Sequence, residues 1–201
     1  MKKILFGLTL FTFLAFVSKK SSNTPEKPED ISPLLVGETI PKTILMDITG
    51  KPFDLNALLA QQQTILIFYR GGWCPFCIKH LAEIQKIENQ LSQAGWQVVA
   101  VSPDSPENLK NTAEKQGLSL KLLSDADMQF AKNLGIAFKG TYGKMLVEKS
   151  GGKNTEQLLP VPAVFMIDKN SMIRFEHINP DFKDRIPTTL LLSVAKTLSA
   201  Q

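Results

Sequence analysis

The stretch Thr64–Cys77, with the sequence TILIFYRGGWCPFC, decides the fold prediction for this chain. Its apolar run Thr64–Tyr69 is typical of a buried strand, and a long helical pattern begins at Pro75. Cys74 and Cys77 are the only two cysteines among the 201 residues. They lie where a Gly-Gly turn leads into a helix N-terminus, whose unpaired N–H groups and positive dipole end favour thiolate over thiol. The stretch therefore predicts a redox-active cysteine pair.

Strand and helix patterns continue on both sides of this stretch. Upstream, Thr43–Met46 and Pro52–Leu55 flank a turn and predict an N-terminal β-hairpin that opens into a short helical piece. Downstream, the predicted elements are a helix over Pro75–Ala94, a strand over Trp96–Ser102, a helix from Ser105 to about Gln116, a short strand over Leu120–Leu123, a helix over Asp127–Leu134, a β-hairpin of Ala163–Asp168 and Met172–His177, and a helix over Thr188–Leu198. Between them, 138–159 is expected to be a polar connection with a short helix around 145–149. This order predicts an α/β protein with a mixed central sheet flanked by helices.

The chain divides by composition into three regions. Residues 1–20 begin with two lysines and an apolar run of 14 residues, which predicts a signal peptide or an N-terminal membrane anchor. Residues 21–33 are polar and proline-rich and are expected to form a disordered linker. The folded domain is predicted to occupy 34–201. We therefore expect the domain to work outside the cytoplasm, in the periplasm after export.

Charge and cysteine content exclude several classes of function. The formal net charge is only +4, and the basic residues of the domain form no run or stripe, so nucleic-acid binding is not expected. Two cysteines in a single motif exclude a scaffold built on several disulfides, and a cysteine-rich zinc site would lack ligands. Neither a metal nor an organic cofactor is expected. Nucleotide-binding loops and serine-hydrolase motifs are also missing from the sequence.

Several separate segments resemble the peroxiredoxin superfamily, in its alkyl hydroperoxide reductase/thiol-specific antioxidant group. These segments are Val98–Pro106, Gly117–Leu118 with Leu122–Asp125 and Ala131–Ile136, Val161–Asp168, and Ile173–His177. The FYRGGWCPFC segment and the sequence HINPDF at 177–182 look like one peroxiredoxin-like subgroup in particular. The resemblance covers about 34–198 and implies a thioredoxin-like fold with an N-terminal β-hairpin extension.

The resemblance leaves open which cysteine attacks the substrate. The peroxiredoxin pattern P-x-x-x-T-x-x-C places Cys77 at its reactive cysteine, with Cys74 at the threonine and Arg70 at the proline. The thioredoxin pattern W-C-P-x-C instead makes Cys74 the exposed nucleophile. Peroxiredoxins also carry an arginine at the position of Pro162, and a proline there resembles the cis-proline of thioredoxins. The Val161–Pro162 bond is accordingly expected to be cis.

Other candidate site residues surround the cysteines. Arg70 is expected to depress a thiolate pKa and to bind a peroxide oxygen, in place of the arginine missing at Pro162. Trp73 is predicted to form an apolar wall, Gly72 to bring the backbone close to the site, and Pro162 to contact the substrate. For the remaining polar candidates we expect structural roles: His80 on the helix surface, His177 near the hairpin end, and Asp104, Asp125 and Asp168 as caps or terminators of elements.

Three functions remain compatible with the sequence. The first is a thiol-dependent peroxidase that reduces hydrogen peroxide or small organic hydroperoxides through a Cys74–Cys77 disulfide, recycled by a thioredoxin-like protein. The second is an exported thiol–disulfide oxidoreductase that acts on protein disulfides. The third is a non-catalytic binding module. A homodimer is compatible with each of them.

Overall fold

A computed structural model describes residues 24–141 and 143–200. The strands are β1 (Ile44–Asp47), β2 (Pro52–Asp54), β3 (Gln63–Phe68), β4 (Trp96–Ser102), β5 (Lys121–Ser124), β6 (Ala137–Lys139), β7 (Leu158–Pro160), β8 (Ala163–Ile167) and β9 (Ile173–Ile178). The helices are α1 (Leu55–Gln61), α2 (Pro75–Gln93), α3 (Pro106–Gln116), α4 (Gln129–Asn133), α5 (Gly143–Lys149) and α6 (Thr188–Ser199). A short 3-10 helix, Pro28–Asp30, precedes them.

The main sheet has seven strands in the order β2-β1-β5-β4-β3-β8-β9. Strands β3, β4 and β5 run parallel, whereas β8 pairs antiparallel with β3, and β9 antiparallel with β8. Strand β1 adds the N-terminal hairpin antiparallel to β5. The mixed α/β sheet flanked by helices, with its N-terminal hairpin, is confirmed as a thioredoxin-like fold.

Strand β3 divides the core into two layers because its side chains alternate between the faces of the sheet. Ile65 and Ile67 pack into the layer formed with α2, α3 and α6, whereas Leu66 and Phe68 pack into the layer with α1 and α4. All four are buried, as expected for a central strand covered by helices on both faces. The strand ends beside Val101, whose carbonyl accepts the Tyr69 N–H at 3.0 Å. This rigid end positions the turn that carries the cysteines.

The connection at 138–159 differs from the prediction in one respect. The short helix is present as α5, but strands β6 and β7 on either side of it pair as a separate two-stranded sheet. Asn154 holds the return from α5 to β7, since its amide both donates to the Leu158 carbonyl at 2.6 Å and accepts the Leu158 N–H at 3.0 Å. A pairing between strands of three residues leaves too little periodicity to be recognised in sequence.

Residues 24–33 also differ from the predicted disordered linker. The Lys139 N–H donates to the Pro25 carbonyl at 2.8 Å, the Lys139 ammonium pairs with Glu26 at 2.5 Å, and Ile31 packs on the core. Composition alone missed these contacts because they depend on β6, more than 100 positions away. The predicted signal or anchor at 1–20 lies outside the described residues. No described helix combines the length and the hydropathy needed to cross a membrane.

Candidate active site

Cys74 is the N-cap residue of α2, and Pro75 occupies the first helical turn, where no backbone donor is needed. The Cys77 and Ile78 N–H groups both donate to the Cys74 carbonyl at 3.1 Å, and the Cys74 N–H donates to the Gly71 carbonyl at 3.1 Å. Both cysteines are free thiols. Cys74 therefore lies at the N-terminus of α2, as the sequence predicted, where the helix dipole favours a thiolate.

The Gly71-Gly72 turn is fixed from behind by Asp104. The Gly72 N–H donates to the Asp104 carboxylate at 2.7 Å, and the Ser102 hydroxyl donates to the same oxygen at 3.1 Å. Gly71 has a φ of 135°, and a Cβ there would overlap with the Trp73 indole. A Cβ on Gly72 would overlap with Thr112 of α3. Both glycines are therefore required sterically, and Gly72 positions the site rather than lining it.

Cys74 opens onto an apolar cleft of about 240 Å³. The cleft is lined by Arg70, Trp73, Cys74, Pro75, Phe76, Met145, Leu146, Lys149 and Phe182. Phe76 and Met145 form its exposed rim, with 40% and 46% of their surface accessible. Both cysteines are buried, with 1% of Cys74 and 0% of Cys77 accessible, but only Cys74 lines the cleft. A small molecule in the cleft would therefore lie next to Cys74 and not next to Cys77.

Arg70 closes one side of this cleft. It is only 8% exposed, and its guanidinium carbon lies 5.1 Å from the Trp73 ring centroid and 4.2 Å from that of Phe182. Its Nε has no hydrogen-bond partner within the described part of the chain. Arg70 therefore places a buried positive charge in the wall of the cleft, beside Cys74.

The two thiols differ in acidity because their surroundings differ. The pKa of Cys74 is lowered to about 6, first because the Cys77 thiol hydrogen-bonds to its sulfur, and further by the Cys77 backbone and the charges of Arg70 and Arg185. Burial raises the pKa of Cys77, and the neighbouring Cys74 raises it further. At neutral pH the arrangement favours a Cys74 thiolate hydrogen-bonded by a Cys77 thiol.

Two expectations about Pro162 are not met. The Val161–Pro162 peptide bond is trans. The chain runs straight from β7 into β8. The Val161 N–H donates to the Ile136 carbonyl at 2.8 Å, and the Pro162 carbonyl accepts the Asn179 N–H at 3.3 Å. This extended path suits the trans isomer, which X–Pro bonds favour. Pro162 also lies outside the Cys74 cleft, behind Arg70 in a separate cavity of about 310 Å³.

His80 is buried, at 4% exposure, so the prediction of a surface residue was wrong. It lies on the same face of α2 as Cys77 and Ile84. This face packs against the sheet and the loop before α6. Burial lowers its pKa to about 4, and the nearby Arg185 acts in the same direction. His177 lies near it, and burial lowers its pKa too. Both imidazoles are therefore neutral at pH 7.

The predicted roles of the aspartates as caps or terminators of helices and strands are confirmed. Asp125 accepts the Phe130 and Ala131 N–H groups at the start of α4, at 3.0 and 2.8 Å. Asp168 accepts N–H groups in the β8–β9 turn. Asp104 does more than end β4, because it anchors the cysteine turn. Within 24–141 and 143–200, no group of three or more His, Cys, Asp or Glu is placed to hold a metal ion.

Two site residues were missed by the sequence analysis. Phe182 stacks on Arg70 and lies 5.7 Å from the Phe76 ring, centroid to centroid. Arg185 donates to the Cys77 sulfur at 3.4 Å from a position 108 residues away. The only available signal was the segment HINPDF, which carried a resemblance but suggested no role for its residues or for Arg185 beyond it.

Comparison with known proteins agrees with this geometry. The model of the AhpC/TSA family matches residues 36–176. Peroxiredoxin Bcp of Escherichia coli strain K12 is 32% identical over 154 residues, which cover 76% of this chain and 90% of that protein. The chloroplastic peroxiredoxin Q of Sedum lineare is 26% identical over 163 residues, with 81% and 79% covered.

Solved structures show the same fold. Reduced Prx3 of Vibrio vulnificus in complex with H2O2 superposes with a TM-score of 0.69 at 20% identity, over 81% of this chain and 99% of that one. Peroxidoxin BcpB of Mycobacterium tuberculosis gives a TM-score of 0.65 at 20% identity, over 82% and 96%.

Proposed function

Because this chain belongs to the AhpC/TSA family, which makes it an oxidoreductase of the peroxidase type, we propose that Cys74 is its attacking thiolate and Cys77 its resolving thiol. The observation that carries this assignment is the difference in position: Cys74 lines the 240 Å³ cleft, whereas Cys77 does not. The lowered pKa of Cys74 supports the same order. The FYRGGWCPFC segment is proposed to define a subgroup in which the first cysteine of the pair reacts.

The proposed reaction has two steps. The Cys74 thiolate attacks one peroxide oxygen and the O–O bond breaks, so Cys74 becomes a sulfenic acid and the other oxygen leaves, protonated, as water or an alcohol. The Cys77 sulfur then attacks the Cys74 sulfur. Hydroxide leaves with the Cys77 proton as water, and the Cys74–Cys77 disulfide forms. One peroxide is thereby reduced by two electrons and two thiols are oxidised.

Arg70 is proposed to stabilise the leaving oxygen in the first step. Its guanidinium lines the cleft beside Cys74, and its Nε has no hydrogen-bond partner among the residues that the structure describes, while Trp73 and Phe182 pack on the guanidinium. The nearly apolar cleft strengthens this interaction because the local dielectric is low. A thioredoxin-like protein dithiol is proposed to regenerate the thiols by exchange at Cys74.

The test is the reaction of the reduced domain with equimolar hydrogen peroxide, beside Cys74→Ser and Cys77→Ser. We expect thiol loss in the parent far faster than in free cysteine, a trapped sulfenic acid in Cys77→Ser, and no fast reaction in Cys74→Ser. A fast sulfenic acid in Cys74→Ser would instead assign the attack to Cys77. A rate equal to that of free cysteine would refute the peroxidase.

A second candidate, reduction or oxidation of protein disulfides, has one observation in its favour. Phe76 and Met145 form an exposed apolar rim beside Cys74, which suits contact with a polypeptide. The trans Val161–Pro162 bond removes the cis-proline that was expected to accompany such an activity. Turnover of an insulin-type disulfide substrate, compared with turnover of peroxide, separates the two candidates.

Export and self-association are further proposals. The lysine pair and the apolar run at 1–20 support export of a domain that begins near residue 34. Fractionation of cells that express the full chain tests the proposal of a periplasmic location. Light scattering of the domain in both redox states tests the proposed homodimer.

A further inference from the structure

Cys77 has a charged partner of its own, distinct from the arginine in the cleft. The Arg185 Nη2 donates to the Cys77 sulfur at 3.4 Å, while Arg70 lies on the cleft side, next to Cys74. Cys77 is fully buried, and an ionised sulfur there would have no water to solvate it. The guanidinium of Arg185 is therefore the group placed to compensate a negative charge on this sulfur.

The loop between β9 and α6 holds Arg185 in this position. The Asn179 amide donates to the Asp184 carboxylate at 2.7 Å, the Asp184 N–H donates to the Asp181 carbonyl at 3.1 Å, and the buried Ile186 follows. These contacts fix the residues on either side of the arginine. The side chain consequently loses little further freedom when it contacts Cys77.

Among the titratable groups around Arg185, Cys77 accepts its hydrogen bond, whereas Cys74 is affected by its charge without such a bond. His80 on α2 and His177 on β9 are neutral at pH 7, because burial lowers the pKa of both. The neighbouring carboxylate of Asp184 is bound to Asn179. The Arg185 Nε is itself buried without a hydrogen-bond partner in the described part of the chain. The Cys77 sulfur is the acceptor to which the structure directs this guanidinium.

We propose that Arg185 stabilises the Cys77 thiolate, so that it governs disulfide formation and disulfide reduction more strongly than peroxide attack. This inference rests on the proposed order of the two cysteines. In the forward direction, Cys77 loses its proton and attacks the Cys74 sulfenic acid, and the departing hydroxide takes up that proton as water. In reduction, an incoming thiolate bonds to Cys74, the S–S bond breaks, and Cys77 leaves with the electron pair, next to Arg185. Arg70 would thus lie beside the attacking sulfur in the cleft, and Arg185 would contact the resolving sulfur directly.

The experiment compares Arg185→Met, Arg185→Lys and, as a matched control, Arg174→Met on β9. Sulfenic acid on Cys74 is trapped at successive times after mixing with peroxide, and disulfide formation is followed by mass spectrometry. In Arg185→Met we expect sulfenic acid to form within about twofold of the parent rate and to close to the disulfide at least tenfold more slowly. Arg185→Lys should recover part of the second rate, and Arg174→Met should match the parent in both.

The pH profile of the second step provides a readout that a change in packing alone would not move. Its midpoint should shift to higher pH in Arg185→Met, with an unfolding transition close to that of the parent. Slowing of both steps by the same factor, or no slowing of the second, would overturn the inference. A first step slowed as much as the second would mean that Arg185 serves peroxide attack instead.

A pyridyl disulfide separates this inference from the proposed peroxidase function. Cys74 displaces one thiopyridone and forms a mixed disulfide, and Cys77 then attacks Cys74 and displaces the second thiopyridone. Slow release of only the second thiopyridone in Arg185→Met would support the role of Arg185 even if the protein failed to reduce peroxide. Equal release in parent and variant would overturn it whatever the peroxide result.

Discussion

At the scale of single residues, three positions along one helix separate two chemically different thiols. Cys74 precedes the first helical residue and opens onto the cleft, whereas Cys77 points into the core one turn later. The hydrogen bond between the two sulfurs links them, so that a proton held by Cys77 stabilises negative charge on Cys74. The C-x-x-C spacing brings the two thiols together, and their different surroundings determine the role of each.

The lowered pKa of Cys74 predicts how its reactivity depends on pH. Since the thiolate forms as pH rises through about 6, the alkylation rate of Cys74 should level off above about pH 7 and fall about tenfold per unit well below 6. Removing the neighbouring cation in Arg70→Gln should move the midpoint up by about one unit, because an adjacent positive charge favours the thiolate. The measurement is iodoacetamide labelling across pH in a Cys77→Ser background, which removes the second thiol and keeps a hydroxyl that donates a hydrogen bond at that position.

In that experiment Arg70→Lys keeps the charge and should restore most of the shift. An unchanged midpoint in Arg70→Gln would show that the arginine does not set the acidity of Cys74.

At the scale of elements, the cysteine turn is held between the end of β3, the end of β4 and α3. Gly72 meets Thr112 of α3 so closely that a Cβ has no room. In Gly72→Ala we expect a loss of about 1–3 kcal/mol in the free energy of unfolding, as is usual for overpacking, and a slower reaction of Cys74 with peroxide. Urea unfolding and peroxide kinetics measure both.

The double variant Gly72→Ala/Thr112→Ala provides the check, because it removes the atoms that would clash. Recovery of stability and rate in the double variant is expected. If Thr112→Ala gave no rescue, the effect of the alanine would have to come from the backbone of the turn and not from α3.

The segment that carries α5 forms one wall of the cleft and depends on Asn154. In Asn154→Ala, the Leu158 carbonyl and N–H would lose the side-chain partner that holds them, so we expect a loss of about 1–3 kcal/mol. Hydrogen exchange of α5 and β7 should accelerate more than that of β3. Asn133→Ala, at an exposed position of α4, is the matched control and should leave both unchanged. Uniform acceleration over the whole sheet would contradict a local role for Asn154.

At the scale of the whole molecule, burial of Asp104 links stability to pH. Burial raises its pKa from 3.8 to about 6, so the folded protein binds this proton more tightly than the unfolded chain. The free energy of unfolding should therefore be highest below about pH 4 for this group and decline as pH rises to about 6, by up to about 3 kcal/mol. Asp125, whose pKa burial raises to about 7, acts in the same direction.

Urea unfolding from pH 4 to 7 tests this linkage. The decline should be smaller in Asp104→Asn, whose amide oxygen still accepts the Gly72 N–H, while Asp30→Asn on the surface should match the parent. A decline of equal size in Asp104→Asn would assign the pH dependence to other groups.

The sequence by itself determined the fold class, the N-terminal hairpin, the limits of β4 and the placement of a cysteine at the start of α2. It could do so because these depend on local patterns: periodicity, turn residues and the spacing of two cysteines along one helix. Within the site it also identified Arg70, Trp73 and the glycines, which lie within a few residues of the cysteines. The burial of His80 could not be predicted from the sequence, because a histidine on a helix does not indicate what packs against it.

Only the tertiary structure decided how the two sulfurs differ. Met145 and Phe182 line the cleft together with Cys74, and Arg185 donates to the Cys77 sulfur, although these residues lie between 70 and 110 positions apart in the sequence. The trans Val161–Pro162 bond and the pairing of β6 with β7 likewise follow from packing against neighbouring segments. Solvent access and charge at a buried sulfur are set by what surrounds it in space, and a motif of ten residues does not encode those surroundings.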